Sequence, residues 1–414
     1  MKTIAALFLL LVIPVALRAQ QLPVIRIAPD QAFGGPISAY FTDIEFIPLE
    51  TTKESLLGAI DKLVVTDSSY IAGDRDTKCV YFFSRNGKLL NKVRLPREGS
   101  VGMDIAYEAD RHRVAVRAIN WATEKGECTY YSKTGQPLNI APVKISKNTA
   151  MLVYMGEGYQ LGTNDAYVNS GGRGKDSIYN LFTIYKDNEP SRSVLPYNQA
   201  ASLAFCRLMG NYTLLWGHPI RVQNGSFYAA MPLTFTVYKI GLKETSPAFR
   251  FVLPAERAVP RSLIERNSIG AIDSLAEELR MDNRTILQIS NIFYINKYIS
   301  FKFMPKVYIS MPSSEPEYQY NFLYDTASAR LIGLERLTPD AQSYYLQPVG
   351  HIANRDGLDY YDGYFYTSLS ALELLNQWEK TRDRGARYPP ALQEYFQSQN
   401  RKSNPVLVRM KLRQ

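Results

Sequence analysis

Cys79-Val80-Tyr81-Phe82-Phe83-Ser84-Arg85-Asn86-Gly87-Lys88-Leu89-Leu90 reads as a strand, a tight turn and a second strand. Asn-Gly supplies the positive φ angles that the tip of a tight hairpin requires. Cys128-Thr129-Tyr130-Tyr131-Ser132-Lys133-Thr134-Gly135-Gln136-Pro137-Leu138 repeats the pattern, its glycine forty-eight residues on from Gly87. With Gly87 laid on Gly135, Phe82 falls on Tyr130, Phe83 on Tyr131 and Ser84 on Ser132. Aromatic pairs just ahead of such a turn can pack between neighbouring sheets. The period is the informative quantity, because repeats of about 40–50 residues built from short strands are the mark of propeller blades.

Three weaker copies follow. Asn180 to Asn188 leads into Ser193-Val194-Leu195-Pro196, Phe235 to Gly241 into Phe249 to Pro254, and Tyr320 to Asp325 into Arg330 to Leu334. The two chain ends can supply a sixth unit. The expected fold is therefore all-β: a six-bladed β-propeller over residues 20–414 with short helical insertions, after a signal segment at 1–19. Arg261 to Met281, Ser370 to Thr381 and Pro390 to Ser398 carry the three- and four-residue apolar steps of those helices. Ring closure needs the terminal strands, since an open ring leaves unpaired sheet edges. Val406-Leu407-Val408-Arg409-Met410-Lys411-Leu412 is one partner; Pro23 to Ile27 or Thr42 to Ile47 is the other.

Both ends carry a family likeness. Asp43-Ile44-Glu45-Phe46-Ile47-Pro48-Leu49-Glu50-Thr51-Thr52 with Leu56 to Ile60, the hairpin at Phe82 to Lys88, and the closing Asn404 to Leu412 are its residues. In these the chain resembles the exported six-bladed β-propeller proteins abundant in Bacteroidetes. The family often has a Gly-Pro-Gly-Glu-Tyr-like loop after the first hairpin, where this chain has Arg97-Glu98-Gly99-Ser100-Val101-Gly102. The resemblance implies a fold and export, and no particular activity.

Composition agrees with a folded, strand-rich protein. Of 414 residues 46% are hydrophobic, and Tyr is used 29 times against 3 Trp; tyrosine favours strands. Lys2 followed by the apolar run Ile4 to Val15 is shorter than the roughly 20 residues of a membrane span and reads as a cleaved export signal, with the cut between Ala19 and Gln20. No Cys precedes Cys79, so there is no lipobox and no lipid anchor is expected. No later run reaches a transmembrane length, and the mature protein is expected in the periplasm or outside the cell.

Charge is a weak guide. The mature chain has 46 Lys+Arg against 39 Asp+Glu, a net +7 spread along its length. Glu379 to Arg387 is the densest stretch and reads as a solvated face. A nucleic-acid binder would show a basic stripe with interleaved aromatics, so nucleic acid is not expected as a partner. An anionic glycan or lipid surface suits a mildly basic exported protein better.

The catalytic inventory is thin, and no catalytic residue is assigned. His112, His218 and His351 are the only histidines, none in a paired ligand spacing, and His112 reads as a turn residue. Gly171-Gly172-Arg173-Gly174-Lys175-Asp176 fails the phosphate-loop spacing. Cys79, Cys128 and Cys206 lie far apart; one disulfide with one free thiol is possible on paper, yet Cys79 and Cys128 sit in apolar runs that suit buried thiols. Asp74-Arg75-Asp76 and Asn354 to Asp359 offer oxygens but read as turn chemistry, so no metal and no cofactor are expected. Trp121, Trp216, Tyr344, Tyr345, Tyr360 and Tyr361 could stack on sugar rings; equally, each could pack between blades. The function expected is non-catalytic binding of a glycan or protein through loops on one face. The alternative is a glycan-active hydrolase or lyase with carboxylates converging in the central funnel, and a third reading is a structural assembly component with a large apolar patch. Oligomeric state is not legible.

Overall fold

A computed structural model describes residues 22–96, 101–120, 122–146, 152–163, 179–197, 222–231, 234–260, 285–305, 321–349 and 358–413. The N-terminal segment is laid out as three strands, β1 (Val24–Arg26), β2 (Phe33–Pro36) and β3 (Phe41–Pro48). Two four-stranded antiparallel sheets follow. The first is β4 (Lys62–Val65), β5 (Ser69–Asp74), β6 (Cys79–Ser84) and β7 (Leu89–Arg94). The second is β8 (Val101–Glu108), β9 (Arg113–Asn120), β10 (Lys125–Tyr131) and β11 (Val143–Ser146). A third sheet holds β12 (Leu152–Gly156), β13 (Tyr159–Thr163), β14 (Tyr179–Lys186) and β15 (Glu189–Tyr197).

Next come β16 (Ser226–Ala230), β17 (Thr236–Gly241), β18 (Thr245–Val252), β19 (Ile286–Ile295), β20 (Tyr298–Pro305), β21 (Asn321–Asp325) and β22 (Arg330–Thr338). They form one nine-stranded sheet, with β1 added parallel to β18 and β2 parallel to β22. The last sheet runs β23 (Asp359–Tyr361), β24 (Tyr364–Leu369), β25 (Val406–Leu412), β3, with helices α1 (Ala371–Thr381) and α2 (Pro390–Ser398) between β24 and β25. The chain is all-β with few helices, its sheets in a propeller-like arrangement.

Six separate sheets are not seen: four four-stranded sheets stand apart, and the remaining strands are fused. The cause is local. β16 and β19 meet at a single pair, Tyr228 with Ile292, which joins two groups of strands into one sheet. The choice left open at the N-terminus is also resolved. Thr42–Ile47 lies in β3 beside β25, whereas Val24–Arg26 pairs with Arg250–Val252.

The hairpin at Cys79–Leu90 and its repeat at Cys128–Leu138 behave as their glycines require. Ser84 N donates to Lys88 O and Gly87 N to Ser84 O; Ser132 N donates to Gln136 O and Gly135 N to Ser132 O. Gly87 and Gly135 have φ of +81° and +84°, and a Cβ on Gly87 would lie 2.0 Å from Pro48 O. No side chain fits there. Between sheets, the aromatic residues ahead of the turns do pack: Phe82 meets Tyr131 at 6.2 Å, and Tyr70 meets Tyr366 of the last sheet at 6.1 Å.

Cys79 and Cys128 are buried free thiols, and burial pushes the Cys128 thiol up. Asp74 works as turn chemistry, accepting from the backbone N–H groups of Gly58, Asp76 and Thr77. His112 is an exposed turn residue at φ +48°. Among the described residues, no helix is long and apolar enough to cross a membrane, and no group of three His, Cys, Asp or Glu is placed to hold a metal. Residues 1–21 with the Ala19–Gln20 junction, Arg261 to Met281, Gly171 to Asp176, Cys206, His218 and His351 lie outside the described residues.

Candidate ligand-binding surface

The connection from β22 to β23 begins with Asp340, whose side chain caps the single 3-10 turn Ala341–Ser343. One carboxylate oxygen accepts from Gln342 N and the other from Ser38 N, each at 3.0 Å. Burial opposes ionisation here, but these N–H donors outweigh it and hold the Asp340 carboxyl below the usual range. Beyond the turn, Tyr344 and Tyr345 take φ of +56° and +61°. Two successive bulky residues in the left-handed region cost about 1–3 kcal/mol each. Tyr345 N to Asp340 O at 2.8 Å and Leu346 N to Ser343 O at 2.9 Å offset that cost, with Leu346 fully buried as the anchor.

Helix α1 meets this loop side-on. Ser370 caps its N-terminus by accepting from Glu373 N, and Leu374 and Leu375 face the core. Gln377 holds the loop in both directions, accepting from Gln347 N at 2.7 Å and donating to Gln347 O at 3.3 Å. Farther along, Trp378 stacks on Phe396 of α2 at 5.0 Å. Gly385, at φ +71°, ends the short turn after α1 and sends the chain back so that Tyr388 packs on Phe396 and Tyr344.

Two guanidinium–aromatic pairs result. Arg384 lies 5.6 Å from the Tyr345 ring centre and Arg382 lies 5.8 Å from that of Trp378. Both rings are half-buried and both arginines exposed, as is Arg387. Among the described residues, Arg384 and Arg387 have no carboxylate at ion-pair distance. Such a surface offers apolar ring faces together with unspent N–H donors.

The six aromatic candidates therefore separate. Tyr345 is on this surface, while the Tyr344 ring beside it packs on Phe46 at 6.1 Å and Tyr388 at 5.9 Å against the core. Tyr360 is not: its ring packs on Phe365 at 5.2 Å and Phe293 at 5.8 Å between sheets, so its part is in the core. Tyr361 is at the opposite end of its sheet, half-buried beside the β23–β24 turn, where burial and then the nearby Tyr107 and Asp67 raise its hydroxyl. Trp121 and Trp216 lie outside the described residues. Trp378, Arg382, Arg384 and Asp340 were missed as site residues. The i,i+4 spacing of Trp378 and Arg382 was a usable signal; the partner of Arg384 was not, because it comes from a distant loop.

The model of the family described as Domain of unknown function DUF4934 matches residues 23–411. The chain belongs to the DUF4934 family. Among solved structures it is similar to a Bacteroides fragilis protein inferred to be exported, with 15% identity, a TM-score of 0.64, and coverage of 94% of this chain and 100% of that one. A DUF4221-family protein from Bacteroides vulgatus has 10% identity and a TM-score of 0.41 over 90% of this chain and 98% of its own. A Bacteroides thetaiotaomicron protein of unknown function has 11% identity and a TM-score of 0.36, over 92% and 75%. The first likeness speaks to the fold alone. No curated protein matches the DUF4934 chain.

Proposed function

We propose that this DUF4934 protein is an exported, six-bladed, non-catalytic propeller that binds its ligand on the helix-bearing end, around Tyr345, Arg384, Trp378 and Arg382. In this reading the nine-stranded sheet is two blades, β16–β18 with β1 and β19–β22 with β2, held together by the lone Tyr228–Ile292 pair. The β3–β25 pairing is then the closure of the ring. Export is supported by the Lys2 to Ala19 segment and by the likeness to the Bacteroides fragilis protein. Mass spectrometry of the mature protein should find its N-terminus at or near Gln20, and an intact Met1 on exported protein would refute the cleavage.

The observation that carries binding is the pair of half-exposed rings under arginines, one of them on a strained loop. Strain of this kind persists where surrounding structure over-determines it, and it collects at ligand sites. Screening the mature protein on a glycan array, then repeating the positive spots with Tyr345→Ala, tests the reading. The variant should lose the signal while keeping its thermal unfolding; an undiminished signal would move the site elsewhere.

A further inference from the structure

We infer that this surface takes a polysaccharide bearing carboxylate or sulfate groups. The inference rests on the binding reading above and narrows it from any ligand to one chemical class.

Three other ring-stacked arginines are used internally, whereas Arg330, 4.1 Å from the ring centre of the exposed Phe33, is itself exposed like Arg384. Arg85, 4.4 Å from the Tyr70 ring centre, donates to Thr66 O and to the Tyr366 hydroxyl. Arg113, 3.8 Å from the Tyr130 ring centre, donates to Glu108 at 2.7 Å. Arg409, 5.0 Å from the Tyr364 ring centre, pairs with Glu45. In the first two the ring holds the cation and protein oxygens take its N–H groups; in the third a carboxylate balances its charge. At Arg384 the ring is present and, among the described residues, no such oxygen is.

The surrounding charges repeat this imbalance. Residues 379–387 contain four basic and two acidic side chains. Glu379 is engaged by Arg401 at 3.3 Å. Asp383 is 95% exposed and only reaches Arg382 at 4.0 Å, a contact worth little in water. A guanidinium stacked on a ring keeps its planar fork of donors, and that fork fits a carboxylate or sulfate with two parallel hydrogen bonds. Half-exposed aromatic rings such as Tyr345 and Trp378 suit the C–H face of a pyranose. Sugar ring and acid group occur together in an acidic polysaccharide.

A membrane surface would supply anions too, but interfacial binding needs apolar side chains to insert among the lipids. Of the large apolar residues that stand exposed, only Leu372 is on α1 or α2, a turn and a half of helix before Trp378. The chemistry favours the polysaccharide.

The test uses the mature full-length protein and four probes: alginate, dextran sulfate, neutral dextran, and vesicles of phosphatidylserine with phosphatidylcholine. Calorimetry or affinity electrophoresis should show binding to alginate or dextran sulfate. That binding should weaken at least about tenfold between roughly 50 and 500 mM salt. The double variant Arg384→Gln/Arg387→Gln should lose about tenfold or more, with thermal unfolding unchanged. Lys53→Gln/Lys243→Gln removes the same two charges from exposed sites elsewhere and should lose far less. Equal losses from both pairs would reduce the effect to net charge and overturn the inference. Dextran bound as well as dextran sulfate, untouched by salt and by Arg→Gln but lost in Tyr345→Ala, would overturn the acidic class and leave the surface standing. Binding to vesicles alone would replace the polysaccharide with lipid. Failure to bind any probe, or binding indifferent to both Tyr345→Ala and Arg→Gln, would overturn the inference and the surface reading together.

Discussion

Arg85 over Tyr70 and Arg384 over Tyr345 are the same chemical pair at opposite ends of the sheets. Around the first, both terminal nitrogens have a use: Arg85 joins the turn after β4 to Tyr366 of the last sheet. The neighbouring turns are tied likewise, Lys133 to Asp67 at 2.8 Å and the Tyr154 hydroxyl to Asp110 at 2.5 Å. Tyr70 is fully buried, whereas Tyr345 is half-buried and Arg384 exposed. A cation over a ring therefore says little by itself. The protein oxygens around it distinguish a rivet between sheets from a surface left open for something else.

The largest expected effect tests whether the riveted body depends on its terminal strand. Deleting Asn404–Gln414 removes β25 from between β24 and β3, and with it Val406, Leu407, Val408 and Met410, all fully buried. At about 1.5–3 kcal/mol for each buried side chain, the loss rivals the whole stability of a typical domain. It also takes Asn404, which accepts from Leu57 N and donates to Glu50 O and Ser55 O. The truncated protein should aggregate or be proteolysed. Unchanged solubility and thermal unfolding would place the critical sheet pairing elsewhere.

Alkali should attack the riveted end next. Burial raises the hydroxyl of Tyr70 to about 12, against the opposing pull of Arg85, and burial also lifts Tyr130 and Tyr154 to about 12. In the unfolded chain these groups ionise near 10, so it gains charge first. Their contribution to stability is complete below pH 10 and drains away as pH rises toward 12. Chemical-denaturation midpoints should fall through that window, and Tyr70→Phe should flatten the fall. A midpoint flat from pH 10 to 12 would contradict the burial assigned to these hydroxyls.

How much of this contrast was legible beforehand follows from the range of the interactions. Hairpin 79–90 could be read because alternation and Asn-Gly are local, and α1 because Ser370 and Leu374-Leu375 are near neighbours. The helix Pro390–Ser398 and strand Val406–Leu412 were legible for the same reason. The single Tyr228–Ile292 pair that fuses two groups of strands leaves no trace in sequence. Neither do the left-handed angles at Tyr344 and Tyr345, where no glycine advertises the turn and Asp340 with Ser38 supplies the restraint across 302 positions. Tyr360 looked like its neighbour Tyr361, yet adjacent strand residues face opposite ways, and Tyr360 faces Phe293. The stretch 379–387 was read as a solvated face. That is true of its exposure and silent about the rings beneath it.

The smallest effects sharpen the comparison most. Arg85→Gln strips a guanidinium from a buried ring and leaves Thr66 O and the Tyr366 hydroxyl short of a donor, so it should cost about 1–3 kcal/mol. Arg384→Gln removes the same group where, among the described residues, no protein oxygen depends on it, and surface changes of that kind stay within about 0.5 kcal/mol. Paired denaturant titrations should therefore separate the two variants clearly, with parallel slopes and a shifted midpoint only for Arg85→Gln. Equal shifts would mean that Arg384 holds the Tyr345 loop in place, and the distinction between rivet and open surface would fail. An unshifted Arg384→Gln that also binds acidic polysaccharide less well would assign that arginine to recognition, because a residue contributing nothing to the fold has then been shown to contribute to a ligand.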